Sequence, residues 1–232
     1  MNERGNENGR WDQLRQIWEI IDRLRSEDGC PWDRKQTPET VQTYLLEEAH
    51  EAAAAVRSGR TAEAAEELGD LLFMVFFLTH LYEERDAFRL DDVCDLICRK
   101  MIRRHPHVFG DVAVQSVRDV KDNWEKIKAA EKAASGKSSE AVPDSLPALV
   151  RAHRMISRMA QSEENGWSSL QKQADMVAAL SRDLVQRLSS GDHTAPEAFG
   201  DLLLAVVSLA RIEGYRAEDC LHARLRDIEN LR

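Results

Sequence analysis

Apolar residues return every three or four positions along most of the chain, and the strict apolar–polar alternation of half-buried strands is nearly absent. That period belongs to helices. It predicts helices over 11–26, 38–57, 61–85, 90–104, 117–133, 147–162, 170–189, 194–212 and 217–230. The pattern lapses once at length, in "ASGKSSEAVPDSLP" at 134–147, where Ser, Gly and Pro accumulate. Such a stretch reads as a linker. It divides the chain into a first unit over 11–134 and a second over 148–232, joined by 135–147. The polar opening "MNERGNENGR", 1–10, is expected to be disordered and has no signal-peptide character.

The two units resemble each other. "EELGDLLFMVFFLTH" at 66–80 is echoed by "EAFGDLLLAVVSLAR" at 197–211, an offset of 131, and "FRLDDVC" at 88–94 by "YRAEDCL" at 215–221. A repeated helical hairpin explains the shared G-D-L-L and its flanks.

One feature of the pattern is at odds with simple amphipathicity. In "YLLEEAHEAAAAVRSGRTAEAAEELGDLLFMVFFL", 44–78, carboxylates run directly into eight consecutive apolar residues, 71–78. With Gly59 at the centre of the turn "SGRT", Glu51 and Glu67 stand eight residues away on either side, and Glu48 and Asp70 eleven. In an antiparallel hairpin, equal distance from the turn means equal height. At ~1.5 Å per residue the pairs sit roughly 12 and 16 Å above the turn. Within each helix the acids lie at i and i+3, on one face. Glu67, Asp70, Met74, Phe77 and Leu78 continue a single stripe, so the acids are expected inside the packing, where carboxylates without a counter-charge cost several kcal/mol each. Solvated acids on an alanine-rich helix would explain Glu47 and Glu48 alone, but not the matched heights of both pairs. A cation among the four would. An all-oxygen donor set suits Mg²⁺ first and Mn²⁺ second. Glu47 and His50 form one E-x-x-H, but a di-iron bundle needs two.

Composition narrows the function. The chain has 232 residues, 43% of them hydrophobic and 31% charged, in the range of soluble globular proteins. A net charge of −9 disfavours a nucleic-acid backbone as the main partner. No apolar run is long enough for a membrane span. Cys30, Cys94, Cys98 and Cys220 show no zinc spacing and read as free thiols of a cytoplasmic protein.

The E-E-x-x-E of Glu47, Glu48 and Glu51, followed by the E-x-x-D of Glu67 and Asp70, resembles the signature of the MazG family of nucleoside triphosphate pyrophosphohydrolases. "LRSEDGCPWDRKQT" at 24–37, "KMIRRHPHVFGD" at 100–111 and "WEKIKAAE" at 124–131 are similar to further segments of that family, in the same order. The resemblance implies an all-α, MazG-like helical bundle of two repeated units, its four-helix core completed by oligomerisation, most simply as a homodimer. It implies hydrolysis of a nucleoside triphosphate to the monophosphate and pyrophosphate, with Mg²⁺ as cofactor. Carried onto this chain, the metal ligands are Glu48, Glu51, Glu67 and Asp70. Glu47, beside them, is assigned to orient or deprotonate the attacking water. Lys100, Arg103 and Arg104 read on their own as a solvated basic helix end before Pro106; the resemblance makes them candidates to neutralise phosphate charge. Trp124, Lys128 and Trp32 are candidates to line the substrate site, although a tryptophan among apolar neighbours is by default core packing.

The second unit departs from the pattern. At the offset of 131, Glu47, Glu48, Glu51 and Glu67 become Ala178, Ala179, Arg182 and Ala198, and only Asp70 keeps its acid, as Asp201. Residues 148–232 are therefore expected to pack or oligomerise without catalysis. The competing reading of the whole chain is a non-catalytic helical module that binds nucleotide or a partner.

Overall fold

A computed structural model describes residues 7–135, 141–160, 167–191 and 196–231. Among them there is no strand, and the chain divides into two compact units, Met1–Ser135 and Gly136–Arg232.

The first unit is built on a hairpin. Helix α1 (Glu7–Arg25) precedes a single 3-10 turn (Asp33–Lys35), then α2 (Pro38–Ser58) and α3 (Thr61–Glu83) run antiparallel to each other. The start of α2 is written locally. Pro38 occupies its first turn, the Thr37 hydroxyl accepts from the Thr40 N–H at 3.4 Å, and the Thr40 hydroxyl accepts from the Thr37 N–H at 2.9 Å. This reciprocal cap satisfies two donors that a helix start otherwise leaves open. The helix stops at Gly59, whose φ of +71° is the left-handed conformation that glycine adopts without strain. The Arg60 N–H then closes on the Ala55 carbonyl at 3.3 Å, and α3 begins after a connection of only two residues. Ala52 and Ala55 are buried on α2 at 4% and 3% exposure, so no bulky side chain holds the two helices apart.

The other side of α3 carries the core. Phe77 and Leu81 pack with Ile21 of α1 and Val41 of α2, all at 2% exposure or less, with Ile17, Phe73 and Phe76 against them. Each such side chain contributes about 1.5–3 kcal/mol on burial. Arg25 ties the segment after α1 to this hairpin. Its guanidinium makes paired 2.7 Å bonds to Glu84, donates to the Asp33 carbonyl, and lies over the Phe77 ring at 5.7 Å. That pairing holds the Glu84 carboxyl below its usual range.

Helix α4 (Leu90–Arg104) leaves α3 through a turn in which the Tyr82 and Phe88 rings stack at 4.7 Å, and α6 (Val117–Ser135) packs on α4. Between them a four-residue helix, α5 (Pro106–Phe109), follows Pro106, where the pattern predicted none. Proline is well suited to a helix's first position, so Pro106 stops α4 and starts α5. Helix α1 begins at Glu7, inside the stretch expected to be disordered; residues 1–6 lie outside the described residues.

The second unit consists of α7 (Ala148–Met159), α8 (Leu170–Ser189), α9 (Pro196–Ile212) and α10 (Ala217–Glu229). Helix α8 packs on α9, and α7 and α10 flank α9, the order in which α2, α1 and α4 attend α3. Gly191, at φ +75°, follows α8 as Gly59 follows α2. Val142, Ile156, Leu184, Ala205 and Val207 are its buried apolar residues, joined by buried Gln173 and Ser208. All four cysteines are free thiols, and among the described residues no helix is long and apolar enough to cross a membrane.

Candidate metal centre

The hairpin sets two acid-bearing helix faces side by side. One carboxylate oxygen from each of Glu48, Glu67 and Asp70 lies within 4.8 Å of the other two. Glu51 lies outside that trio, and its charge acts on Glu67 from one turn along α2. Among the described residues no lysine, arginine or histidine pairs with any of the four.

Partial burial raises the Glu48 carboxyl above its ordinary value, and the charges of Asp70, Glu51, Glu67 and Glu47 add to that. Glu67 is raised in the same way, by desolvation first and then by Glu51, Asp70 and Glu66. Like charges that share a small volume resist ionising together. The nest is shallower than the stripe pattern predicts. Glu48 and Glu67 are half-buried, whereas Glu51 and Asp70 are exposed in the single chain, as are the neighbouring Leu46, Leu68 and Val75. The reason is geometric: α2 and α3 cover one side of the acids, and among the described residues the other side stays open.

The donor set fits a hard divalent cation. All its atoms are carboxylate oxygens, and a separation within 4.8 Å needs only a small contraction to reach the ~4 Å across an ion bound at about 2.0–2.1 Å. No histidine joins the cluster, and His50 is exposed on α2, which does not suit iron. Glu47 is exposed next to Glu48.

The predicted cations and aromatics gather elsewhere, on α4 and α6. Arg103 Nε meets Glu131 Oε1 at 2.5 Å, and Arg104 Nη2 and Nε meet Glu131 Oε2 at 2.6 and 3.1 Å. These two guanidinium groups pull the Glu131 carboxyl down to about 2. Arg104 also lies over Trp124 at 5.3 Å, and His105 meets the edge of the same ring at 4.9 Å. Trp124 is therefore a wall of this arginine cluster. Lys128 is drawn to Glu125 at 3.3 Å, while Lys100 is exposed and forms no ion pair among the described residues. Trp32 is 54% exposed and leans on Tyr44 at 5.8 Å, one helical turn before Glu48. Glu131 was not singled out from sequence, although Trp124, Lys128 and Glu131 at i, i+4 and i+7 mark one face of α6.

An all-α hairpin that brings three carboxylates without a basic partner to a shared point defines a helical protein equipped for a divalent cation. Comparison with known proteins gives that class a family. Residues 36–109 match the MazG nucleotide pyrophosphohydrolase domain. The chain is 35% identical over 233 residues to a nucleoside triphosphate pyrophosphohydrolase of Escherichia coli (strain K12), covering 95% of this chain and 88% of that protein. It is also 35% identical over 208 residues to the nucleoside triphosphate pyrophosphohydrolase/pyrophosphatase MazG of Thermotoga maritima, covering 89% of this chain and 79% of the relative. A crystal structure of a mazG-related protein from Thermotoga maritima superposes with a TM-score of 0.44 at 27% identity, over 50% of this chain and 98% of the other. The chain belongs to the MazG family.

Proposed function

We propose that this protein is a Mg²⁺-dependent nucleoside triphosphate pyrophosphohydrolase of the cytoplasm, releasing nucleoside monophosphate and pyrophosphate by attack of water at the α-phosphorus. The observation that carries the reading is the convergence of Glu48, Glu67 and Asp70 within 4.8 Å, with no counter-charge among the described residues. Support also comes from the relatives' names, which describe nucleoside triphosphate pyrophosphohydrolases.

In this proposal Glu48, Glu51, Glu67 and Asp70 hold Mg²⁺, with Mn²⁺ as the substitute. When bound, the cation supplies charge neutralisation for phosphate oxygens and activation of water. Glu47 takes up the proton as water attacks, since it adjoins the nest without belonging to the clustered set. Lys100, Arg103 and Arg104 answer the charge that develops on departing pyrophosphate. For the two arginines this means exchanging a carboxylate of Glu131 for phosphate oxygens, acceptors of the same charge and geometry. Trp124, Lys128 and Trp32 supply contacts to the remainder of the nucleotide. We further propose that a second copy of the chain covers the open side of the nest at Leu46, Leu68 and Val75, a homodimer that would complete a four-helix core.

The test is product analysis with mixed nucleoside triphosphates and Mg²⁺. Monophosphate and pyrophosphate are expected; diphosphate with orthophosphate refutes the bond assignment. A panel of ribo-, deoxyribo- and damaged nucleotides then fixes the substrate.

A further inference from the structure

The second unit lacks the acids of the first, yet one of its grooves gathers more basic than acidic side chains. Between α7 and α10 lies a cavity of about 350 Å³ whose floor includes Leu149 and Val150. His153 and Arg154 of α7 and Arg216, at the start of α10, line it. Among the described residues neither Arg154 nor Arg216 forms a side-chain hydrogen bond or ion pair. The cavity's one acid, Glu218, is taken by His222 at 3.3 Å. Arg211 of α9 adds to the field. Its Nη2 donates to the Trp167 carbonyl at 2.6 Å, while its Nε is buried with no protein acceptor. Nδ1 of His153 is buried in the same condition. Burial, then Arg216 and Arg211, push the His153 imidazole below its ordinary value, so the ring resists becoming another cation.

The corresponding groove of the first unit, between α1, α3 and α4, shows that the fold does not require this. It is larger, at about 460 Å³, and Trp11, Trp18 and Phe76 make it apolar, while Glu83 and Asp91 balance its two arginines. The surplus positive charge is a property of the second unit alone. Arg154 and Arg216 are exposed at the groove, so their donors are free to meet an anion there. Ala217 and Glu218, in the first turn of α10, border the cavity, and the N-cap Arg216 supplies no side-chain acceptor for that turn's N–H groups. An anion would satisfy these donors together with the arginines. A few hundred Å³ with an apolar floor and cationic walls has the size of a small-molecule site.

We propose that the groove between α7 and α10 binds a phosphate-bearing small anion, held by Arg154, Arg216 and the first turn of α10. The site is independent of the acid nest, and metal-free conditions separate the two, because a nest of bare carboxylates repels phosphate. The full chain in EDTA is titrated calorimetrically with orthophosphate, pyrophosphate and a nucleoside monophosphate. Saturable binding of one equivalent is expected for at least one of them. The tightest of the three identifies the source, the last two being products of the proposed hydrolysis. The double variant Arg154→Gln/Arg216→Gln should bind at least about tenfold more weakly, the loss that follows removal of charge-assisted bonds. Asp70→Asn should bind as the wild type does. No saturable binding of any of the three, binding undiminished in the double variant, or binding abolished by Asp70→Asn overturns the proposal. Should the double variant fail to fold, the imidazole resonance of His153 in the wild-type protein decides. It shifts to saturation if the groove is the site and stays in place under excess pyrophosphate if it is not.

Discussion

Replacing Ala52 by leucine tests whether the close approach of α2 and α3 is what assembles the metal centre. Ala52 is 4% exposed in the hairpin, adjacent to Glu51 and one turn beyond Glu48. Helix pairs pack about 8–10 Å apart according to the side chains between them, and alanine permits the short end of that range. Leucine adds three carbons where no space is provided, a strain of about 1–3 kcal/mol. For a chain of this length that lowers Tm by roughly 2–4 °C per kcal/mol, leaving the protein folded at room temperature. The effect on the site is larger. The oxygens of Glu48, Glu67 and Asp70 already span up to 4.8 Å, whereas two ligands on opposite sides of one Mg²⁺ are only about 4 Å apart. Spreading the helices by a further ~1 Å takes them out of joint reach, and misplacement on that scale costs roughly a hundredfold in rate. The expected result is a fall of about that size in kcat/KM, with loss of the rise in Tm expected of the wild type on adding Mg²⁺ and with helical circular dichroism intact. Ala54→Leu, on the exposed face of the same helix, should leave both readouts near wild type. An Ala52→Leu protein that is destabilised as expected yet keeps its turnover and its Mg²⁺ response would refute the dependence of the site on hairpin spacing.

Glu51→Ala or Asp70→Ala should abolish pyrophosphate release, and Asp201→Ala, which alters the counterpart of Asp70 on α9, should leave it nearly unchanged; equal loss from Asp201→Ala would contradict a single working site. Because Glu48 and Glu67 are raised above the ordinary glutamate value of 4.5, the metal-free fold binds their protons better than the unfolded chain does, so its stability should fall as pH rises from 4.5 through their folded-state values. Thermal melts across pH 4–8 should show that decline in EDTA and a weaker one with Mg²⁺ or in Glu48→Gln; a flat metal-free profile would count against the crowding. Glu131, depressed to about 2, behaves oppositely: its ion pairs are complete above the unfolded value of 4.5 and are lost only as pH falls towards 2. Glu131→Gln should therefore lower stability by about 1 kcal/mol evenly between pH 5 and 8. It should also reduce KM for the triphosphate if Glu131 competes with phosphate for Arg103 and Arg104, an outcome read by steady-state kinetics; a raised KM would mean that it positions them instead.

Helix placement was legible because its signals are local. Thr37-Pro38 and Gly59 bracket α2, Pro106 ends α4, and Ser169 caps the start of α8 by accepting from the Lys172 N–H. The level pairing of the acids was legible for the same reason, since a two-residue connection makes distance from the turn a coordinate. Their exposure was not. A stripe shows which face an acid shares, but whether anything covers that face depends on packing beyond the hairpin. Glu131 was hidden in another way: its partners lie 28 and 27 residues away on α4, and only the packing of α6 on α4 brings them together. The basic groove of the second unit is assembled from α7 and α10, more than fifty residues apart in sequence, and no local pattern announces it.

The two units show how a repeated scaffold divides its labour through charge while the core is held loosely. At the shared offset of 131, Phe77 and Ser208 occupy equivalent positions on α3 and α9, both buried, at 2% and 0% exposure. The second unit has thus exchanged an aromatic core residue for a hydroxyl that has no protein hydrogen-bond partner, a change of the kind that costs about 1–3 kcal/mol. Tolerance of that exchange implies that the hairpin topology, set by capping and helix periodicity, survives erosion of individual core contacts. The charge clusters follow a different logic. In one unit the clustered Glu48, Glu67 and Asp70 carboxylates weaken it by mutual repulsion; in the other, Arg154 and Arg216 leave their donors unpaired beside a histidine whose Nδ1 is buried. Neither is needed for the fold, because each unit keeps the same helical packing without the other's cluster. Groups that are dispensable for topology are retained for what binds them, and the opposite signs mean that the units answer to opposite ligands: a cation at the α2–α3 hairpin and an anion at the α7–α10 groove.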